Sequence, residues 1–255
     1  ILIFALAAMG LNLVLGFGAM VSFGHAMYIG IGAYAVGILS YHGVDSGLMQ
    51  LLAALGVGSI VALGVGAICL RTSGMAFIMI TLAFAQMLYF LAVSLREYGG
   101  DDGMQLKGRS LLGPLDLNSP TVLYYLAYVL VVAVLFVFWR LVQSRFGMVL
   151  RGCRSNERRM ASMGFPTLRY KLSAYLISAL VCVLAGMLMA NLTRFVSPSY
   201  MAWTVSGELI VMVSGVIHWS APNRSEQLRL AAHGIVVPAG EPLVLYYCDD
   251  DTPPD

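Results

Sequence analysis

Charge is what this sequence has least of. Only 11% of its 255 residues are Asp, Glu, Lys or Arg, against 59% hydrophobic, and the mean hydropathy is +0.82. A soluble globule needs more polar surface than that to cover its core. Strict alternation of apolar and polar residues is missing too, which excludes a membrane β-barrel, whose strands face lipid and lumen in turn. The four cysteines, Cys69, Cys153, Cys182 and Cys248, lack any spacing that would frame disulfides or a metal site. Glu208 is the only acid well inside an apolar run, which argues against ion coupling. No acid–base pair, Ser–His arrangement or metal-ligand cluster stands within reach of a run. No catalytic residue and no metal ligand is therefore assigned, and a membrane enzyme is not indicated. The sequence also lacks a glycine-rich nucleotide loop. No Met and no basic segment precede Ile1, so no signal peptide is read, and the chain is expected to lack its natural start.

What is present is a series of long apolar runs near 1–17, 19–41, 47–70, 75–95, 121–142, 172–192 and 203–219. A run of about 20 residues crosses a bilayer core as helix. The expected fold is all-α, a polytopic transmembrane bundle of about seven apolar segments. The second, 19–41, follows the first almost without a turn and is punctuated by Gly24, Gly30, Gly32 and Gly37. It is expected to be broken or re-entrant, because irregular backbone at membrane depth survives only inside protein or beside a cavity. Gly58, Ala62 and Gly66, spaced by four, predict a helix-packing face.

Eight of the 15 Lys and Arg fall between Arg140 and Lys171. Short basic loops stay cytoplasmic, so 143–171 is read as inside, and the 96–120 loop and Arg194–Ser199 as outside. Asp101 and Asp102 in the outer loop have no second ligand cluster to make a metal site with. Within the basic loop, "SNERRMASMGFP" predicts a short helix with Ser155 or Asn156 as N-cap. Gly164 supplies a left-handed stop and Pro166 prevents continuation. The upstream "RFGMVLRGCR" repeats the amphipathic pattern. Two short helices joined at a bend suit either docking to a partner or lying on anionic lipid, which attracts about 1 kcal/mol per basic residue.

Six stretches carry a family resemblance: "GLNLVLGFGAMVSFGHAMYIGIGAY" (10–34), "MAFIMITLAFAQM" (75–87), "YGGDDGM" (98–104), "SRFGMVLRGCRSNERRMASMGF" (144–165), "YKLSAYLISALVCVLAGML" (170–188) and "FVSPSYMAWTVSGELIVMV" (195–213). Their order and spacing resemble the permease subunit of ABC importers for branched-chain amino acids, and most resemble the second of the two related permeases of such systems. The resemblance implies a multi-pass protein of the bacterial inner membrane. Its implied partners are a second permease, two cytoplasmic ATPases, a periplasmic substrate-binding protein and the lipid bilayer, with no nucleic acid. This chain would bind no cofactor, and ATP would be used by the partner subunits. Loop 143–171 then resembles the ATPase-coupling loop, with Arg145, Arg151, Arg154, Glu157, Arg158 and Gly164 as its candidate residues. The alternative is a stand-alone secondary transporter or channel for a small solute.

Polar groups inside spans are costly and are candidates for a substrate pathway: Asn12, Ser22, His25, Thr81, Gln86 and Glu208. For Asn12 and Thr81 interhelical hydrogen bonds are the simpler expectation, and for His25 a packing role. The permease domain is expected to cover 1–213. Beyond it the family pattern of a glycine-rich loop and another span does not continue. Instead 214–255 holds five of the nine prolines and the acidic run Asp249–Asp251. This tail is expected to be foreign to the family, from a shifted reading frame or otherwise.

Overall fold

The computed structural model describes residues 1–106, 108–112, 115–116 and 120–219. Among these residues eight α-helices follow one another: α1 (Leu2–Asn12), α2 (His25–Tyr41), α3 (Gly47–Cys69), α4 (Met75–Ser94), α5 (Pro120–Gln143), α6 (Arg145–Ser162), α7 (Thr167–Thr193) and α8 (Trp203–Trp219). Each apolar run becomes a helix, and the basic loop becomes α6. Helices α3, α4, α5 and α7 are long and apolar enough to cross a membrane. The boundary expected at 213 falls inside α8, and the expected tail from 220 onward lies outside the described residues.

The second apolar run is indeed broken. Helix α1 passes into one π-helical turn, Leu13–Phe17, and 18–24 is then irregular before α2 begins at His25. At 1.5 Å per residue α2 is about 25 Å long, short of a bilayer core of about 30 Å.

Helix α7 is the central post, packed by α1, α2 and α3 together. Glycine sets the closeness of the central pair. A Cβ on Gly32 of α2 would collide with the Val183 carbonyl, and one on Gly186 of α7 with the Ile29 carbonyl. Backbone therefore lies on backbone, the route by which membrane helices gain packing energy without a hydrophobic drive. The expected small-residue face of α3 meets the same post: Gly58 abuts Val183, Gly66 abuts Leu172 and Tyr175, and Ala62 is fully buried. By contrast α5 keeps few buried positions, Leu123 and Ala127 among them, and presents aromatic and aliphatic side chains outward. Lipid is the solvent such a surface suits.

At the end opposite α6, strand β1 (Met104–Gln105) pairs antiparallel with β4 (Phe195–Val196), and β2 (Leu111–Leu112) pairs with β3 (Leu115–Asp116). The turn before β1 needs left-handed residues at Gly99, Gly100 and Gly103, whose φ values are +90°, +52° and +77°. This outer strap is stitched to the bundle. Ser110 N–H donates to Asn191 Oδ1 at 2.8 Å, its hydroxyl meets Gln50 Oε1, and Arg109 Nε donates to the Asn191 carbonyl at 2.9 Å. The 96–120 and 194–199 loops thus share one end of the bundle, as the topology reading requires.

Candidate functional site

Two places gather the polar chemistry of this apolar chain. The first is the start of α2, deep in the bundle. A helix beginning there leaves orphan N–H groups with no water to satisfy them. Side chains from three directions take them up. Phe23 N–H donates to Thr81 Oγ1 of α4 at 3.3 Å, Gly24 N–H to Ser22 Oγ at 3.2 Å, and Ala26 N–H to Ser206 Oγ of α8 at 3.0 Å. Thr81 and Ser22 therefore serve the backbone break, the Thr81 bond running from α4 to the irregular stretch before α2.

His25, the first residue of α2, is fully buried. Its Nε2 lies 2.9 Å from Ser178 Oγ, and that hydroxyl donates to the Gly10 carbonyl at 2.5 Å. The hydroxyl proton being spent on Gly10, Nε2 carries the imidazole proton and Nδ1 is left as an acceptor. Nδ1 has no partner among the described residues. Tyr28 and Tyr175 pack edge-on against the ring, with centroids at 5.9 and 5.4 Å, and share a hydrogen bond of 3.2 Å. The His25 network thus ties α1, α2 and α7 into one unit.

The other pathway candidates are not joined to it. Asn12 is half-buried, and its Oδ1 fills the space a Cβ would need at residue 16, which makes Gly16 part of the π turn. Gln86 is half-buried on α4. Glu208 is exposed on the outward face of α8. Sequence reasoning missed Tyr28, Tyr175, Ser178 and Ser206. Hydroxyls scattered through the apolar runs were the available signal.

The second place is α6. Its backbone leaves helical geometry at Asn156 (φ −159°, ψ 98°), dividing it into 145–155 and 157–162. Asn156 Oδ1 accepts from Arg159 N–H at 3.0 Å, so Asn156, rather than Ser155, is the N-cap of the second half. That half ends as expected on Gly164 at φ +85°. Phe165 N–H donates to the Met160 carbonyl and Gly164 N–H to that of Ala161, at 3.2 and 2.9 Å. This bond pair closes a helix on a left-handed glycine.

Apolar packing seats α6 on the bundle: Leu150 is fully buried against Leu13 and Ala174. Polar contacts brace it further. Arg154 Nη1 donates to the Gly16 carbonyl at 2.5 Å, and Arg151 Nη2 to that of Val142 at 3.3 Å. Glu157 Oε2 pairs with Lys171 Nζ at 2.6 Å, and Lys171 is nearly buried at the foot of α7. Of the six coupling candidates, Arg151, Arg154 and Glu157 thus bond their own chain, while Arg145, Arg151, Arg154 and Arg158 are all exposed alongside Met148 and Met163. Cys153 is buried in the same helix; burial pushes its thiol up, Glu157 adds to the rise and Lys171 opposes it.

A family model described as branched-chain amino acid transport system / permease component matches residues 1–222. The high-affinity branched-chain amino acid transport system permease protein LivM of Salmonella typhimurium is 28% identical over 237 residues, a match covering 83% of this chain and 56% of that relative. The protein of the same name from Escherichia coli strain K12 is 27% identical over 244 residues, with the same shares covered. The chain spans about half (56%) of the length of these curated relatives. No solved structure matches it significantly. With a family match that runs from α1 through α8, this multi-pass helical chain belongs to the permease component family of branched-chain amino acid transport systems.

Proposed function

We propose that the chain is a non-catalytic translocation subunit of an ATP-driven importer for branched-chain or other hydrophobic amino acids, in the bacterial inner membrane. A second permease completes the pathway, two cytoplasmic ATPases supply the work, and a periplasmic binding protein delivers the solute. The observation that carries this reading is the build of α6. It is a kinked amphipathic rod, fixed to the π turn that follows α1 by Arg154 and to α7 by Glu157, yet turning Arg145, Arg158, Met148 and Met163 outward. A part fastened to two spans and open on its far side transmits an external push into the bundle. An interfacial anchor needs no such fastening.

Glu208 supports the same reading. A charged side chain facing lipid at mid-membrane costs about 2.5–3.5 kcal/mol, and Glu208 is exposed in the single chain. Cover by protein or water on that face of α8, as a second permease or a shared pathway would give, relieves that cost.

Uptake of labelled leucine into vesicles carrying all the partner subunits, with ATP inside and binding protein outside, tests the proposal. The expected result is uptake that stops without ATP or without the binding protein. Uptake driven by an ion gradient in the absence of ATP would establish the stand-alone transporter instead.

A further inference from the structure

A cavity of about 190 Å³ opens at the arginine-rich end, between α6, the turn joining α3 to α4, and residues 18–21. We propose that it binds one free hydrophobic amino acid from the cytoplasm and that occupation restrains α6, so that accumulated product slows further import. The inference rests on the import reading above and adds to it a regulatory site.

The walls divide by chemistry. Arg154, Glu157 and Lys171 come to the lining from α6 and the foot of α7, and Met20, Phe77 and Ile78 from the irregular stretch and α4. An α-amino acid has the matching division: carboxylate and ammonium leave one carbon together, and the side chain points away from both. Arg154 spends one N–H on Gly16, which leaves the remainder of its five-donor fork for a carboxylate. Glu157 uses Oε2 for Lys171, which leaves Oε1 to accept an ammonium. The two stand on either side of the Asn156 kink, three residues apart, so both charged ends of the ligand meet one bend of the chain. Ser73 and Gly74 form part of the rim where α4 begins, and Gly74 caps that helix with no side-chain bond. The positive end of α4 therefore adds to the pull on a carboxylate.

Other ligand classes fit worse. A phosphate would set its charge against Glu157. A plain hydrocarbon would desolvate the charged wall without pairing it. A volume of about 190 Å³ has room for a solute the size of one amino acid. A solute held there touches α6, α4 and the irregular stretch 18–21 at once. It thereby ties the moving helix to the bundle.

The test is binding of labelled L-leucine to the full chain in lipid nanodiscs, with neither ATP nor binding protein. Saturable binding in the millimolar class is expected. Arg154→Gln, which removes the carboxylate fork, and Ser73→Trp, which blocks the exposed rim, should each weaken it about tenfold or more. Leucinamide and isocaproate, each lacking one charged end, should compete about tenfold less well than leucine. No saturable binding up to about 10 mM, binding indifferent to both variants, or displacement by inorganic phosphate as effective as by leucine would overturn the proposal. In vesicles, preloading with leucine should slow ATP-driven uptake by the native chain and not by Ser73→Trp. Loss of ATP-dependence in vesicles that were never preloaded would refute the import reading instead, and the binding result stands apart from it.

Discussion

The brace between α6 and α7 permits a directional prediction, because its two charges are buried unequally. The Lys171 side chain is 10% exposed and that of Glu157 is 43% exposed. Glu157→Gln leaves an ammonium in a nearly dry site with its counter-charge gone. Breaking a fully buried pair in this way costs about 3–5 kcal/mol, and exposed pairs are worth about 0–1 kcal/mol. A half-exposed partner puts the expected loss at about 1.5–3 kcal/mol. Lys171→Met is the opposite case. The carboxylate left behind turns to water, methionine fills the vacated space, and the loss stays under about 1 kcal/mol. Hydrogen exchange of the amides of 157–162 reads the difference directly as local opening. At about 1.4 kcal/mol per factor of ten, Glu157→Gln should speed exchange there about ten- to hundredfold, and Lys171→Met less than about fivefold. The double variant should follow Lys171→Met. Equal acceleration by the two single variants would refute the argument, since it would mean that neither charge is desolvated by the fold.

Four further outcomes follow from the geometry. Gly186→Ala places a methyl group against the Ile29 backbone and should cost about 3 kcal/mol, the upper end for overpacking; an unchanged melting temperature in detergent would contradict the backbone contact of α2 with α7. Asn156→Ala should cost about 1 kcal/mol and Asn156→Gly only a few tenths, read as exchange of the Arg159 amide; identical effects would deny Asn156 its capping role. Cys153, buried and with its thiol pushed up, should react with maleimide more slowly than a free thiol at neutral pH, faster as pH rises. A Met163→Cys variant at an exposed site should label readily, and only once the cytoplasmic face is open; labelling of Met163→Cys by an impermeant reagent in intact cells would reverse the assigned orientation.

Which parts of this were legible in the sequence follows from distance along the chain. Spans were legible because hydropathy over some twenty residues is a local sum. So was the second half of α6: an N-cap acts within three residues and Gly164 within one turn, which is why Asn156 and the left-handed stop stand where the pattern placed them. The break before His25 was signalled by glycine density. What stayed hidden were partners brought together only by folding. His25 meets Ser178 across 153 positions and Ala26 meets Ser206 across 180, and a serine in an apolar run says nothing about whom it faces. For the same reason Arg151, Arg154 and Glu157 read as outward-facing contacts for a partner. Each also bonds its own chain, while Arg151 and Arg154 stay exposed.

The start of α2 also constrains the order of assembly. Phe23 waits 58 residues for Thr81, and Ala26 waits 180 for Ser206. During synthesis this stretch enters the membrane long before its permanent acceptors have been made. The start of α2 therefore cannot close until α4 and α8 have both been made.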